Sequence, residues 1–73
     1  MLSWRRTALK RNVIVNLKSG ESFRGVLWTK SGPLLILKNA YLFASSASEP
    51  AKVDGEVLVE RSNVAFIQLL PEA

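Results

Sequence analysis

Over residues 12–18, "NVIVNLK", apolar and polar side chains alternate with a period of two, with Ile14 as the one apolar exception on the outer face. This period is typical of a half-buried β-strand. Residues 18–21, "KSGE", predict a turn, because Gly20 adopts a positive φ without steric cost. A glycine inside the next strand leaves room for a sharp bend, which indicates a sheet that curls into a barrel. One face of that second strand carries Phe23, Gly25, Leu27 and Thr29.

Three further strands are predicted in the second half of the chain. Residues 31–33, "SGP", predict a turn, and residues 34–43, "LLILKNAYLF", are apolar enough for a strand that is covered on both faces. Residues 44–55, "ASSASEPAKVDG", are small, polar and turn-forming, and they predict one long loop. Two short strands follow at about residues 55–60 and 63–69, joined by a polar hinge.

The N-terminal residues predict a short helix over about residues 3–10. Ser3 is a suitable N-cap, and Trp4 and Ala8 form a narrow apolar stripe that can dock on the sheet. The whole pattern predicts a mainly β fold, with this helix followed by a five-stranded, strongly bent open barrel of the SH3 type. We expect a single domain over residues 1–73.

Size and composition narrow the possible functions. A chain of 73 residues buries only about 60% of its unfolded surface, so we expect oligomerisation to supplement a small core. There is no cysteine or histidine, and the carboxylates of Glu21, Glu56 and Glu60 lie apart along the chain. We therefore expect no catalytic residues, no metal, no cofactor and no small-molecule substrate.

Nothing in the chain predicts a membrane segment. No apolar run approaches the roughly 18 residues of a membrane span, and residues 1–11, "MLSWRRTALKR", lack the apolar stretch of a signal peptide. We therefore expect a cytoplasmic, intracellular protein with no membrane partner.

Positive charge is concentrated at the N-terminus. The net charge is +4, and residues 1–11 carry four cations and no acid: Arg5, Arg6, Lys10 and Arg11. Such a cluster attracts a polyanion, because neutralised phosphates release their counterions. A solvated helix face explains the cluster equally well, so both interpretations stay open.

Two segments, in the right order, resemble the two sequence motifs of the Sm and Sm-like (LSm) proteins. In the first motif an apolar alternation leads into a glycine turn, an aromatic residue, a second glycine and a leucine, as in residues 12–29 here. In the second a short polar hinge joins two apolar strands, as in residues 55–69, "GEVLVERSNVAFIQL". The alternative is an SH3-like barrel of another kind, since each motif alone is common in β-proteins. The matching positions are Val13, Val15, Leu17, Gly20, Phe23, Gly25, Leu27, Val57, Val59, Asn63, Val64 and Ile67.

The resemblance covers about residues 3–70 and implies a homo-oligomeric ring, in which the fourth strand of each copy pairs with the fifth strand of the next. The short hinge turns the chain so that these two strands present their edges on opposite flanks, and heterologous pairing then closes a ring. Tyr41 and Phe43, near the end of the third strand, are expected in the core or at an interface. The subunit interface implied by the resemblance comprises Val57, Leu58, Val59, Val64, Ala65, Phe66 and Ile67.

The resemblance also implies RNA binding, but two segments depart from the family pattern. The family commonly has Asp and then Met-Asn in the turn after the second strand, where the Asn reads a base. Here Ser31 stands near the Asp position, and Leu34 and Leu35 stand near Met-Asn. The Arg-Gly of the second motif is matched by Glu60 and Arg61. Because leucine makes no base-reading hydrogen bond, we expect no specific base pocket.

Three more residues are candidates for RNA contact. Lys30 and Arg61 adjoin the predicted turns and suit phosphate contacts, although an exposed loop lysine explains Lys30 as well. Trp28 can stack a base, or it packs under a helix or at a subunit interface. Two hypotheses follow. One is a ring-forming module with weak, sequence-indifferent binding of single-stranded RNA, and the other is a structural or adaptor ring with no nucleic-acid role.

Overall fold

The computed structural model describes residues 10–44 and 49–71. The predicted N-terminal helix over about residues 3–10 lies outside these ranges, except for Lys10. Within the described ranges the chain forms five strands and one short 3-10 helix, in the order β1 (Arg11–Leu17), β2 (Ser22–Ser31), β3 (Leu34–Phe43), β4 (Ala51–Glu60), η1 (Arg61–Asn63) and β5 (Val64–Leu69).

The strands form one antiparallel sheet in the order β4-β3-β2-β1-β5. Strands β4 and β5 are at opposite ends of this order, yet only the three residues of η1 connect them. A flat sheet does not allow so short a connection, so the sheet must curl until its two ends approach each other. The predicted mainly β fold, with five antiparallel strands in a bent open sheet, is confirmed.

The core fills the inside of this curl. In β1 the predicted alternation places Val13 and Val15 in the interior, both fully buried. Tyr41 and Phe43 are exposed, so the expectation that they belong to the core of this chain is wrong, and an interface remains a prediction. The buried core consists of Val13, Val15, Leu27, Leu35, Leu37, Ala40 and Val59, and the side chains packed against it are Leu17, Phe23, Val57, Val64 and Ile67.

Gly25 lies where β2 bends against β3. Arg24 pairs with Tyr41 and Val26 pairs with Lys38, so the register shifts by one residue at this glycine, which faces two residues of β3. A Cβ on Gly25 would lie 2.9 Å from the carbonyl oxygen of Lys38 and 3.1 Å from the Cα of Ala40. Only a residue without a side chain permits so close an approach, which is the role that the sequence predicts for this glycine.

The predicted long loop over residues 44–55 is wrong in its second half. Strand β4 begins at Ala51, which pairs with Leu42 of β3. The strand accommodates turn-forming residues because the β3–β4 register shifts beside Asn39. There Asn39 and Gly55 have positive φ values of 54° and 77°. A bulge thus carries the strand through a segment whose composition predicts a loop.

Candidate functional site

The two ends of the sheet are the first candidate site. Among the described residues, β4 pairs only with β3 and β5 only with β1, so each presents one unpaired backbone edge. Large apolar side chains lie beside both edges, where Leu58 of β4 is 57% exposed and Phe66 of β5 is 59% exposed. Unpaired edges flanked by apolar groups are surfaces on which a further strand can add.

A groove of about 310 Å³ lies along β5. Its lining is apolar except for one cation, and comprises Leu35, Arg61, Val64, Phe66 and Ile67. Three of these five residues belong to β5, whereas Leu58 belongs to β4 at the other end of the sheet order. This separation suits a contact between unlike surfaces of two copies rather than between identical ones.

The seven predicted interface residues divide into two groups in the structure. Val57, Val64 and Ile67 pack against the core of their own chain and Val59 is buried in it, so these side chains stabilise the subunit. The outward-facing residues are Leu58, Ala65 and Phe66. These three side chains are therefore available for contact with another copy, and Val64 and Ile67 also line the groove beside Phe66.

Two turns that are distant in sequence meet at one end of the molecule. The backbone N–H of Arg61 in η1 donates to the carbonyl oxygen of Pro33, in the turn between β2 and β3, at 2.8 Å. Lys30 is one residue before the end of β2–β3 pairing and lies opposite Leu35. The structure therefore brings the segments of Lys30 and Arg61 together, as the predicted phosphate contact requires. Leu35 is buried, so the position expected to read a base belongs to the core.

Trp28 is the center of a second cluster, on the outer face of the sheet. It is the extra residue of a β-bulge, since Leu27 pairs with Leu37 and Thr29 with Ile36. The ammonium group of Lys38 lies 4.2 Å from the centroid of the Trp28 ring system and that of Lys10 lies 5.1 Å from it. Lys38 also pairs with Glu56 at 3.7 Å.

Lys10 and Trp28 were both predicted as contact residues, and the structure places them together. Lys38 was missed, because in the sequence it is one cation within an apolar strand and only the register brings it to Trp28. Arg11 is half-buried, and its guanidinium donates to the carbonyl oxygen of Leu70 at 3.0 Å, which ties it to the chain itself. Arg5 and Arg6 lie outside the described residues.

Residues 10–44 and 49–71 contain no group of three or more histidine, cysteine or acidic side chains that could hold a metal ion. Those ranges also contain no helix with the length and apolar character needed to cross a membrane.

Solved structures with this architecture belong largely to one family. A heptameric archaeal Sm protein superposes with a TM-score of 0.76 and 25% sequence identity, over 90% of this chain and 94% of that chain. An Sm protein of Pyrococcus abyssii, solved in complex with a uridine heptamer, gives a TM-score of 0.74 and 24% identity, over 89% and 90% of the two chains. A chain of the NatC complex bound to CoA gives 0.76 and 20%, over 94% and 87%.

The fold is therefore that of the Sm and Sm-like proteins. The resemblance to this family that the two motifs predict is confirmed by these structural relatives. The sequence by itself matches no protein-family model and no curated protein. Many different sequences satisfy the same alternation and turns. A shared fold is therefore compatible with the lack of a sequence match.

Proposed function

We propose that this chain, as a single Sm-like barrel over residues 1–73, forms a ring and acts by binding rather than by catalysis. The observation that carries the proposal is the pair of unpaired strand edges, on β4 and on β5, each beside an exposed apolar side chain. Strand β4 of one copy would pair with β5 of the next. The similar archaeal Sm protein is a heptamer, which supports a closed assembly, while the number of copies here is left to measurement.

Pairing of the two edges removes apolar surface as well as satisfying backbone groups. Leu58 of one copy would enter the groove beside Phe66 of the next, because that groove is apolar and lies along the receiving strand. Burying one such side chain stabilises by about 1.5–3 kcal/mol. A subunit of this size has a small core, so these contacts are a sizeable fraction of its stability.

Two complementary variants test this arrangement. Leu58→Asp and Phe66→Asp place a carboxylate beside the β4 edge and the β5 edge, respectively. Pairing of that edge would bury the carboxylate without a partner, so each substitution should prevent pairing of its own strand. Each variant alone should lose the native mass of the ring in light scattering. Mixed together they should form a two-chain complex, since each retains the edge that the other needs.

The control is Ser31→Asp, which places the same charge at an exposed position of β2, a strand that is paired on both sides. It should leave the native mass unchanged. A wild-type mass of one chain at micromolar concentration contradicts the ring. Failure of the mixed variants to associate contradicts β4–β5 pairing specifically.

We further propose weak, sequence-indifferent binding of single-stranded RNA. Support comes from the cations predicted for phosphate contact, from the proximity of Lys10 to Trp28, and from the complex of the similar Pyrococcus abyssii protein with a uridine heptamer. Weak selectivity follows from Leu34 and Leu35, whose side chains have no hydrogen-bonding groups for a base edge. Affinity would then come from phosphate contacts and stacking.

A structural or adaptor ring without nucleic acid is the second candidate. One observation favours it, namely that Leu35, at the position expected to read a base, is buried in the core. The similar chain in the NatC complex supports a place for this fold in an assembly of different proteins. The absorbance spectrum of the purified ring separates the two candidates, since copurified RNA raises the nucleic-acid band relative to the protein band.

A further inference from the structure

The outer face of β2 and β3 carries two exposed aromatic side chains that edge pairing does not use. Trp28 of β2 is 40% exposed and Tyr41 of β3 is 42% exposed. Both strands lie inside the sheet order, between β4 and β1, so pairing of β4 and β5 between copies leaves this face open. The exposed aromatic groups on these middle strands therefore stay available when the edges pair.

Each of these aromatic groups is accompanied by cations. Lys38 and Lys10 lie over Trp28, and the ammonium group of Lys52 lies 5.7 Å from the centroid of the Tyr41 ring. A planar surface with an ammonium group beside it offers a base a stacking partner and its phosphate a counter-charge.

The sheet register connects the two aromatic positions. Arg24 lies opposite Tyr41, and Tyr41 lies opposite Lys52, so a cation stands on each side of the tyrosine across three strands. Arg24 and Trp28 are four residues apart along β2, which is roughly 13 Å at the rise of a strand. The aromatic groups thus mark two points on one continuous face, with Lys38 lying over the first and Arg24 beside the second.

A groove of about 440 Å³ extends this face at the Tyr41 end. Besides Tyr41 and Arg24, its lining includes Phe43 and the amide side chains of Asn12 and Asn39. Amide groups both donate and accept hydrogen bonds, so they suit the polar edges of a base. This combination of planar, cationic and amide groups distinguishes the groove from the apolar groove beside Phe66.

We infer that this outer face, defined by Trp28, Lys38, Arg24, Tyr41 and Lys52, is a track for single-stranded RNA with stacking positions at Trp28 and Tyr41. The inference rests on the proposed RNA binding and gives it a location away from the turns of Lys30 and Arg61. Tyr41 is seven residues from Leu34 along β3, roughly 23 Å from the turn end of that strand.

Acidic residues near the track indicate that stacking contributes more than charge. Glu56 pairs with Lys38, and Asp54 and Glu49 are exposed near Lys52 and the groove. The local charge is therefore close to balanced, which disfavours an acidic protein segment held mainly by cations. Two stacking surfaces remain effective under these conditions, because stacking on an aromatic group does not depend on net charge.

Substitution of the aromatic groups by leucine tests the track. Trp28→Leu and Tyr41→Leu keep an apolar side chain but remove the stacking plane. Fluorescence anisotropy with labelled oligo-U should show each variant binding about 5- to 100-fold more weakly than wild type. Lys52→Ala should weaken binding, whereas the matched control Lys18→Ala, at the turn after β1, should not. Light scattering on every variant checks that the ring is intact.

Crosslinking locates the RNA independently. Oligonucleotides carrying 4-thiouridine should crosslink to the peptides that contain Trp28 and Tyr41. Wild-type affinity in both leucine variants, with crosslinks confined to the turns of Lys30 and Arg61, would overturn the track and leave RNA binding by the ring in place. No binding by the wild-type ring at low salt would overturn both the track and the proposed RNA binding.

Discussion

At the scale of single residues, Gly25 is the glycine that packs most closely against its neighbours. Its Cα faces the backbone of β3 so closely that a Cβ would meet the Lys38 carbonyl oxygen at 2.9 Å, and neither backbone can move away without breaking the ladder. Gly32 is different, since it has a positive φ of 56° and open space around it. The two glycines are therefore favoured for separate physical reasons, Gly25 for a steric one and Gly32 for a conformational one.

Gly25→Val should be one of the most damaging single substitutions in the chain. Forcing three carbon atoms into this contact should cost about 3 kcal/mol or more, which in so small a domain lowers the melting temperature by roughly 12 °C or more. The control Gly32→Asn should cost only a few tenths of a kcal/mol, because asparagine tolerates the left-handed region. Equal melting temperatures for the two variants would show that the close contact between Gly25 and β3 does not determine the stability of the domain.

The sequence predicts the face of the sheet on which a residue lies, but not every contact between side chains. The sequence places Gly25 in a bend and Trp28 outside the core, because alternation within a strand assigns each residue to a face. It does not place Lys38 over Trp28, since that contact depends on a bulge at Trp28 and on the pairing of Val26 with Lys38. Bulges shift a register by one residue, and no local pattern in the sequence specifies them here.

At the scale of elements, the strands with strong alternation or long apolar runs were the ones predicted well. The predicted bounds of the third strand, residues 34–43, coincide with β3. The error concerns β4, whose first half consists of residues that favour turns. Those residues become a strand because β3 is long enough to provide partners as far as Leu42. Pairing with a partner therefore overrides local propensity, which is weak for β-structure.

The outer edge of β5 gives a prediction at this scale. Ala65 is the extra residue of a bulge, because Asn16 pairs with Phe66 and Leu17 with Val64. A bulge residue has no partner of its own on β1, so Ala65→Pro should leave the β1–β5 pairing within a subunit largely intact while removing one N–H from β5. We expect a lower native mass in light scattering with an unchanged circular dichroism spectrum of the strands.

Ala51→Pro is the matched control for this substitution. Ala51 is the first residue of β4, a position where proline is tolerated, and it lies outside the proposed interface. Its native mass should equal that of wild type. If Ala65→Pro assembles as well as Ala51→Pro does, the outer edge of β5 is not the site of pairing.

At the scale of the whole molecule, two kinds of RNA contact are proposed on one ring, and they respond differently to salt. Phosphate contacts release counterions, so each contributes a slope of about −0.7 in log K against log salt concentration on a single strand. Stacking on Trp28 and Tyr41 contributes affinity with little slope. Measuring the slope therefore separates phosphate contacts from stacking on Trp28 and Tyr41 without requiring that either be removed completely.

The double substitution Arg5→Glu, Arg6→Glu should reduce the magnitude of the salt slope by about 1.4 if each arginine neutralises one phosphate. Trp28→Leu should lower the affinity at every salt concentration and leave the slope unchanged, because it removes no charge. The measurement is anisotropy with oligo-U and oligo-A between about 50 and 200 mM salt, using wild type and both variants. Affinities for the two homopolymers should be similar, since Leu34 and Leu35 have no polar groups for a base. A strong preference for one homopolymer that survives high salt and both sets of substitutions would mean that the turns of Lys30 and Arg61 form a selective pocket after all.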